Sequence, residues 1–333
     1  RDAADTLIVH AKPMSSYVKF EDSQWDLAES DILYRSGEAR FDNFLIYNGD
    51  QSINIHGGVS PAKTDTLVLD INKVDLDIIN HFTGKDYGIK GLASGRALLS
   101  SPLKGDLIAL LNLACDSLAV AGEDAGLLRM AVAWDKKADK VSAFLRDNVG
   151  GTDALNIKGS YSASDKKLNI TAIADGLKVA LFSPLIPDSI TGLGGSLNGE
   201  FTASGNLDSL VLGSKLANIE NGRLKIAYTG VDYKLGGPFH INKEGLAFDD
   251  FSITDTEGGY ALLNGGITFN SMKDFNLNTR ISLNNLMIFG NKSGTVYGDL
   301  FASGDVRLEG PPDNIYADAN VDRKSTRLNS SHT

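Results

Sequence analysis

Few residues in this chain stand where acid–base, nucleophilic or metal chemistry would need them. His10, His56, His81 and His240 are isolated, none with a second histidine at ligand spacing. Metal centres draw their ligands from clustered His, Cys, Asp or Glu, so each reads as an ordinary strand or loop residue. Asp249 and Asp250 are adjacent; on a strand they would point to opposite faces and could not share a substrate atom. The pair reads as a solvated turn edge. Carbohydrate-cleaving β-helices do carry acidic residues on exposed strands, and that is the enzymatic reading the carboxylates leave open. The run Gly192-Leu-Gly194-Gly195-Ser-Leu-Asn-Gly199 has the glycines of a phosphate loop but carries Leu197 where GxGxxG needs its third glycine. A strand pattern follows it, so no helix N-terminus is offered to an anion. Cys115, the single cysteine, has no evident histidine partner, and Ser and Thr form no G-x-S-x-G elbow; the thiol reads as buried filler. The expectation is a non-enzyme with no catalytic, cofactor-binding or metal-binding residues.

The elements that carry these residues are strands. Phe275, Leu277, Ile281 and Leu283 alternate with Asn276, Asn278, Arg280 and Ser282, the period-two pattern of a half-buried strand. The same alternation runs through Leu67, Leu69 and Ile71, through Leu168, Ile170 and Ala172, and through Leu224, Ile226 and Tyr228, each bounded by Gly, Asn, Asp or Lys. Two short apolar segments, Leu76 to Phe82 and Leu177 to Leu185, read as a turn or two of helix, with Pro184 and Pro187 ending the second. Phe248, Phe251, Phe269, Phe275, Tyr228 and Tyr233 form an aromatic concentration in the last third, suited to packing the inside of a sheet.

Glycine-punctuated segments repeat. Gly88-Ile-Lys-Gly91-Leu-Ala-Ser-Gly95 resembles Gly192-Leu-Gly-Gly195-Ser-Leu-Asn-Gly199-Glu-Phe-Thr-Ala-Ser-Gly205, and that resembles Gly294-Thr-Val-Tyr-Gly298-Asp-Leu-Phe-Ala-Ser-Gly304. The starts, near 88, 192 and 294, are roughly 100 residues apart. A second element precedes them: Phe41-Asp-Asn-Phe44-Leu-Ile with Gly57-Gly-Val59 parallels Phe248-Asp-Asp-Phe251-Ser-Ile with Gly265-Gly-Ile267. A middle copy carries Leu155-Asn-Ile-Lys-Gly159 and Leu168-Asn-Ile-Thr. Strand-turn-strand units that cannot cover their own apolar face must stack on their neighbours. This predicts an all-β, elongated repeat array, a rolled sheet with an open apolar groove and one or two short helices, built from strands of about six to nine residues. Leu67, Leu69, Ile71, Leu168, Ile170, Leu224, Ile226, Phe275, Leu277, Ile281 and Leu283 are the expected groove-lining residues.

Composition agrees with a folded chain: hydrophobic residues make up 42% and charged residues 22%, enough to bury a core. The formal charge of -10, with both signs interspersed, lacks the concentrated cationic surface that nucleic acid or an anionic membrane would require. The longest apolar run, Leu107 to Cys115, is broken by Asn112 and falls well short of the roughly 20 residues of a membrane-spanning helix. Arg1 is neither an initiator methionine nor part of a signal peptide, so residues 1–321 read as a piece of a longer protein whose membrane anchor lies outside it. The tail from 322 to 333, containing Asp322-Arg-Lys-Ser-Thr-Arg-Leu-Asn-Ser-Ser-His332, reads as translated sequencing-library adapter and is expected to be non-native and disordered.

The order of motifs resembles the C-terminal repeat region of TamB-type translocation and assembly proteins, members of the AsmA-like β-taco superfamily. The resemblance rests on Gly194-Gly195-Ser-Leu-Asn-Gly199, Thr229-Gly-Val-Asp-Tyr233-Lys-Leu, Gly236-Gly-Pro-Phe239-His-Ile, Phe248-Asp-Asp-Phe-Ser-Ile-Thr-Asp255 and Tyr297-Gly-Asp-Leu-Phe-Ala-Ser-Gly304-Asp-Val-Arg-Leu-Glu-Gly310-Pro. Trp25-Asp-Leu-Ala and Phe41-Asp-Asn-Phe-Leu-Ile-Tyr-Asn-Gly extend it in style to the first half. The resemblance implies a periplasmic segment of an inner-membrane-anchored, envelope-spanning protein. Its implied function is passage of phospholipid between inner and outer membranes, with acyl chains in the groove. It also implies an Omp85-type outer-membrane barrel as partner in protein assembly. Lipid conduit, assembly scaffold and structural or adhesive β-solenoid are the three classes that remain.

Overall fold

A computed structural model describes residues 8–20, 23–35, 38–60, 65–77, 87–100, 107–149, 151–270, 273–291 and 298–325. It divides into two units at the Lys167/Leu168 bond. The fold is all-β: strands take 79% of the described residues and the sheet is antiparallel and unclosed.

In the first unit a kinked hairpin comes first. β1 (Ile8–Ala11) and β2 (Ser16–Phe20) run out, β3 (Ser23–Leu27) and β4 (Asp31–Arg35) run back, with β1 paired to β4 and β2 to β3. At the kink the Ser30 amide donates to the Pro13 carbonyl. Then follow β5 (Glu38–Asn48), β6 (Gln51–Val59), β7 (Thr66–Asp75), β8 (Leu92–Ser100), β9 (Ile108–Val120), β10 (Glu123–Asp135), β11 (Lys140–Val149) and β12 (Thr152–Ser162), each paired with the next.

The second unit holds nearly all of β13 (Lys167–Lys178), then β14 (Ile190–Asn206), β15 (Ser209–Ile226), β16 (Val231–Asn242), β17 (Gly245–Thr254), β18 (Tyr260–Asn270), β19 (Lys273–Asn291), β20 (Gly298–Gly310) and β21 (Tyr316–Ser325). From β14 onward each strand pairs with its successor. A 3-10 helix, Val179–Leu185, follows β13 and contains Pro184, close to where the second short helix was expected. Most of the first expected helix, Leu76 to Phe82, lies outside the described residues, as do His81 and Gly294. β21 continues through Asp322 to Ser325, paired with Leu300 to Ser303; these four residues of the tail are therefore strand, contrary to the expected disorder from 322 onward.

Many strands exceed the expected six to nine residues. β14, β15 and β19 span 17, 18 and 19 residues. The polar and glycine residues that read as turns instead occupy bulges inside continuous strands, where an extra residue bends the chain without ending its ladder. The Phe-Asp-Asx-Phe motif is one such bulge. Register shifts between Phe41 and Phe44 and between Phe248 and Phe251, with Asn43 at φ 61 and Asp250 at φ 46. A cross-strand asparagine serves each: Asn54 Nδ2 donates to Asn43 Oδ1 at 2.9 Å, and Asn264 Nδ2 to Asp250 Oδ1 at 2.9 Å. Asx side chains tolerate the left-handed region, which explains the third position of the motif. Asp249 and Asp250 thus sit at a mid-strand bulge, not at a turn edge.

The Gly-Gly pairs have an equally local cause. Gly57 (φ 97) and Gly265 (φ 89) take a conformation that side-chain-bearing residues avoid, and a Cβ there would stand 2.3 Å from the Thr66 carbonyl oxygen or 2.2 Å from that of Asn278.

Candidate functional site: the apolar face of the sheet

Directly paired residues of an antiparallel ladder share a face, so the register traces one surface from strand to strand. In the first unit it passes from Phe44 to Ile55, Leu69, Ala97, Leu111, Val132 and Ala143. The next row runs Ile46, Ile53, Ile71, Gly95, Leu113, Met130, Leu145 and Ile157. Eight strands, β5 to β12, therefore present a continuous apolar face. Cys115 lies on it, buried between Ala93 and Leu128. Asp147, opposite Leu128 and Leu155, is a buried charged exception.

In this unit the buried apolar residues, among those described, are the small ones Ala93, Cys115, Ala125 and Ala154. Among the described residues the large side chains of the face are only half-buried, and none of this unit's described residues is helical. Partly exposed apolar surface on a folded protein is a candidate binding surface.

The opposite face is mostly polar. His56, Asp70 and Arg96 form a cross-strand cluster over β6, β7 and β8, with His56 Nε2 2.9 Å and Arg96 Nε 2.5 Å from the Asp70 carboxylate oxygens. Hydrogen bonds from Arg96 and then His56 hold the Asp70 carboxyl below its usual range. Val68, Leu98 and Leu110, paired in a row, are apolar exceptions on this side.

In the second unit the corresponding face carries Leu224 opposite Tyr233, Ile226 opposite Val231, Leu235 opposite Ile253, and Phe239 opposite Phe248. It continues through Leu263 and Ile281 to Val306 and Ala319. Phe201, Phe239, Phe248 and Phe251 form a chain of ring contacts at 6.2, 6.3 and 5.1 Å. On the other side Arg280 pairs with Asp305 and Arg307 with Glu309, and the Asp305 carboxyl is lowered by its hydrogen bonds from Arg280 and Ser282.

The expected lining residues fall as follows. Leu67, Leu69 and Ile71 share the first unit's apolar face and are half-buried. Leu277, Ile281 and Leu283 share that of the second, opposite Ile267, Leu263 and Ala261. Leu224 and Ile226 pack against a buried cluster. Leu168 and Ile170 are half-buried on β13, with Asn169 exposed between them. Phe275 touches Phe269 across the strand pair at 5.8 Å yet is 37% exposed. Tyr228 departs from its expected strand: it lies in the β15–β16 turn and is 89% exposed. The widest part of the face, Leu111, Leu113, Met130, Val132 and Leu145, was not among the expected residues. There the alternation is masked, because Leu110, Ala114, Ala131 and Ala133 on the other side are apolar too.

His10 pairs with Asp31, close to Lys12, and no group of three or more His, Cys, Asp or Glu among the described residues is arranged to hold a metal ion. No helix among them is long and apolar enough to cross a membrane. Compared with known protein families, curated proteins and solved structures, the chain has no match.

Proposed function

We propose that this chain is a lipid-conducting segment of a periplasmic, inner-membrane-anchored protein, carrying phospholipid between the inner and outer membranes with its acyl chains against the apolar face. The observation that supports this reading is the eight-strand apolar face of the first unit, on which no large apolar side chain among the described residues is buried. A surface of this kind suits acyl chains, since each buried methylene contributes about 0.8 kcal/mol without needing a polar partner. The function then requires no catalytic residue, cofactor or metal. The order of repeat motifs supports the same reading through its resemblance to TamB-type proteins.

The test is native mass spectrometry of the chain after expression in a bacterial periplasm and gentle purification. Phospholipid is expected to co-purify, to be lost in Leu111→Asp on that face, and to be retained in Asn112→Asp, whose side chain is exposed on the opposite face. Equal loss from two folded variants would overturn the reading.

A second reading, a scaffold for outer-membrane protein assembly alongside an Omp85-type barrel, is supported by an open sheet edge. Among the described residues β2 pairs only with β3, and its Tyr17 and Val18 are both 61% exposed. An edge of this kind accepts a further strand. Absence of lipid from a folded sample, with capture of nascent barrel strands by that edge, would favour it.

A further inference from the structure

Resting on the lipid reading, a feature of the second unit marks where such a groove stops. The β17–β18 hairpin is shorter than its neighbours. β16 extends beyond it with Val231 to Tyr233, which pair on the other side with β15. β19 extends beyond it with Asn285 to Asn291. A bulge at Asn284–Asn285, with Asn285 at φ 47, bends the β19 extension, and the two extensions meet over the hairpin's end.

Their meeting is stitched by backbone and side chain. Tyr233 Oη donates to the Met287 carbonyl at 2.8 Å, the Met287 amide donates to Asp255 Oδ2 at 2.5 Å, and the Gly290 amide donates to the Thr229 carbonyl at 2.9 Å. Asp255, in the hairpin loop and 3% exposed, also accepts the Glu257 and Gly259 amides at 2.8 and 2.9 Å. Three donors satisfy its buried carboxylate, as burial of a charge demands. Beneath the stitch Val231, Ala261, Leu286 and Met287 are buried against one another, with Leu224, Ile253 and Phe301 packed around them.

The first unit has the same bulge without the closure. Ile71-Asn72-Lys73-Val74 corresponds to Leu283-Asn284-Asn285-Leu286, with Lys73 at φ 50. The next amide, that of Asp75, goes to the half-buried Gln51 side chain at 2.9 Å, and no cluster of large buried side chains forms among the described residues.

We propose that the Tyr233–Asp255–Met287 seam is a barrier to acyl chains: here the protein's own side chains fill the apolar face, so lipid lying along the second unit stops at the seam, while the first unit's face stays open. Passage across the seam requires Tyr233 and Met287 to separate.

The test is photo-crosslinking of the full chain on vesicles of phosphatidylethanolamine and phosphatidylglycerol doped with phosphatidylcholine bearing a diazirine near the acyl terminus. Labelled sites are then mapped by peptide mass spectrometry. In the wild type, label is expected on β9 and β10 and absent from residues 224–235 and 281–287. In Tyr233→Phe, label at the seam is expected to rise about fivefold, the population shift that loss of one buried hydrogen bond produces, with β9 and β10 unchanged. Met287→Ala, which opens space without removing a backbone bond, is expected to act in the same direction. Circular dichroism confirms that each variant remains folded. Seam residues labelled as heavily as β9 in the wild type, or seam label unmoved in both folded variants, would overturn the barrier while leaving the lipid reading intact. No label anywhere on the chain would overturn the lipid reading and the barrier with it.

Discussion

The hydroxyl of Ser303 accepts the backbone N–H of Asn285 at 2.8 Å, one strand supplying the hydrogen bond that a bulge takes away from the next. The first unit repeats the arrangement, with Ser94 Oγ accepting the Lys73 N–H at 2.9 Å. In the second copy Asn198 Oδ1 accepts the Gly176 N–H at 2.7 Å. Ser94, Asn198 and Ser303 each stand immediately before a glycine of the repeated motif, so that motif is the receiving half of a recurrent bulge.

Removing the receiver should cost a modest amount at each bulge. Ser303→Ala and Ser94→Ala are expected to lower stability by about 0.5–1 kcal/mol, since water can reach the freed amide. Lys73→Gly is expected to raise it by about 1 kcal/mol, because lysine has no side-chain compensation in the left-handed region. Its ion pair with Asp50, 3.8 Å long and exposed, contributes little. Urea denaturation measures all three; a destabilised Lys73→Gly would show that the bulge is not what holds this residue at positive φ.

The Gly-Gly pair makes a harsher prediction. At Gly265 a methyl group would meet the Asn278 carbonyl oxygen at 2.2 Å, whereas at Gly49, also in the left-handed region, nothing lies within 4 Å. Gly265→Ala is expected to cost about 3 kcal/mol or more, through both backbone strain and collision with a neighbouring strand. Gly49→Ala is expected to cost only about 1 kcal/mol. Thermal unfolding of the two variants should therefore differ clearly, and equal midpoints would refute the close approach.

Much of this was legible in the residues. Period-two alternation identified strands, and at Leu67 to Ile71 and at Leu277 to Leu283 it also separated one side of the sheet from the other. Bulges were not legible: Asp249–Asp250, Asn72–Lys73 and Asn284–Asn285 have the composition of turns, and only their cross-strand partners reveal that the strand continues. Strand lengths were underestimated for that reason. Tyr228 failed differently, since alternation alone cannot say that a strand ends at Ile226. The seam was invisible because Tyr233, Asp255 and Met287 are joined by tertiary contacts across intervening strands and share no local pattern.

Tyr233 also gives the seam a pH signature. Burial, with Asp255 nearby, pushes its hydroxyl up to about 12 from 10.0. The folded state thus holds this proton more tightly than the unfolded one. The seam's stabilisation is fully present below pH 10 and is lost as pH rises through about 12. Ultraviolet titration of phenolate should show one tyrosine ionising after the exposed ones, and Tyr233→Phe should remove that late step. A late step surviving the substitution would assign the shift to another tyrosine.

Trp134 offers the most direct reading of the open face. It lies on the apolar side of β10, opposite Ala109 and Val141, and is 40% exposed. The chain has two tryptophans, so Trp25→Phe leaves Trp134 as the sole indole emitter. If acyl chains occupy the face, they displace water from this ring, and its emission should move to shorter wavelength as phospholipid is added. Asn112→Asp, on the opposite face, should leave the shift intact, and Leu111→Asp, beside Trp134 on the same face, should abolish it. The last step follows from desolvation: a carboxylate at Leu111 would have to lose water against hydrocarbon, which is costly. Emission unchanged at saturating lipid in a folded Trp25→Phe protein would mean that the first unit's apolar face is not where lipid binds.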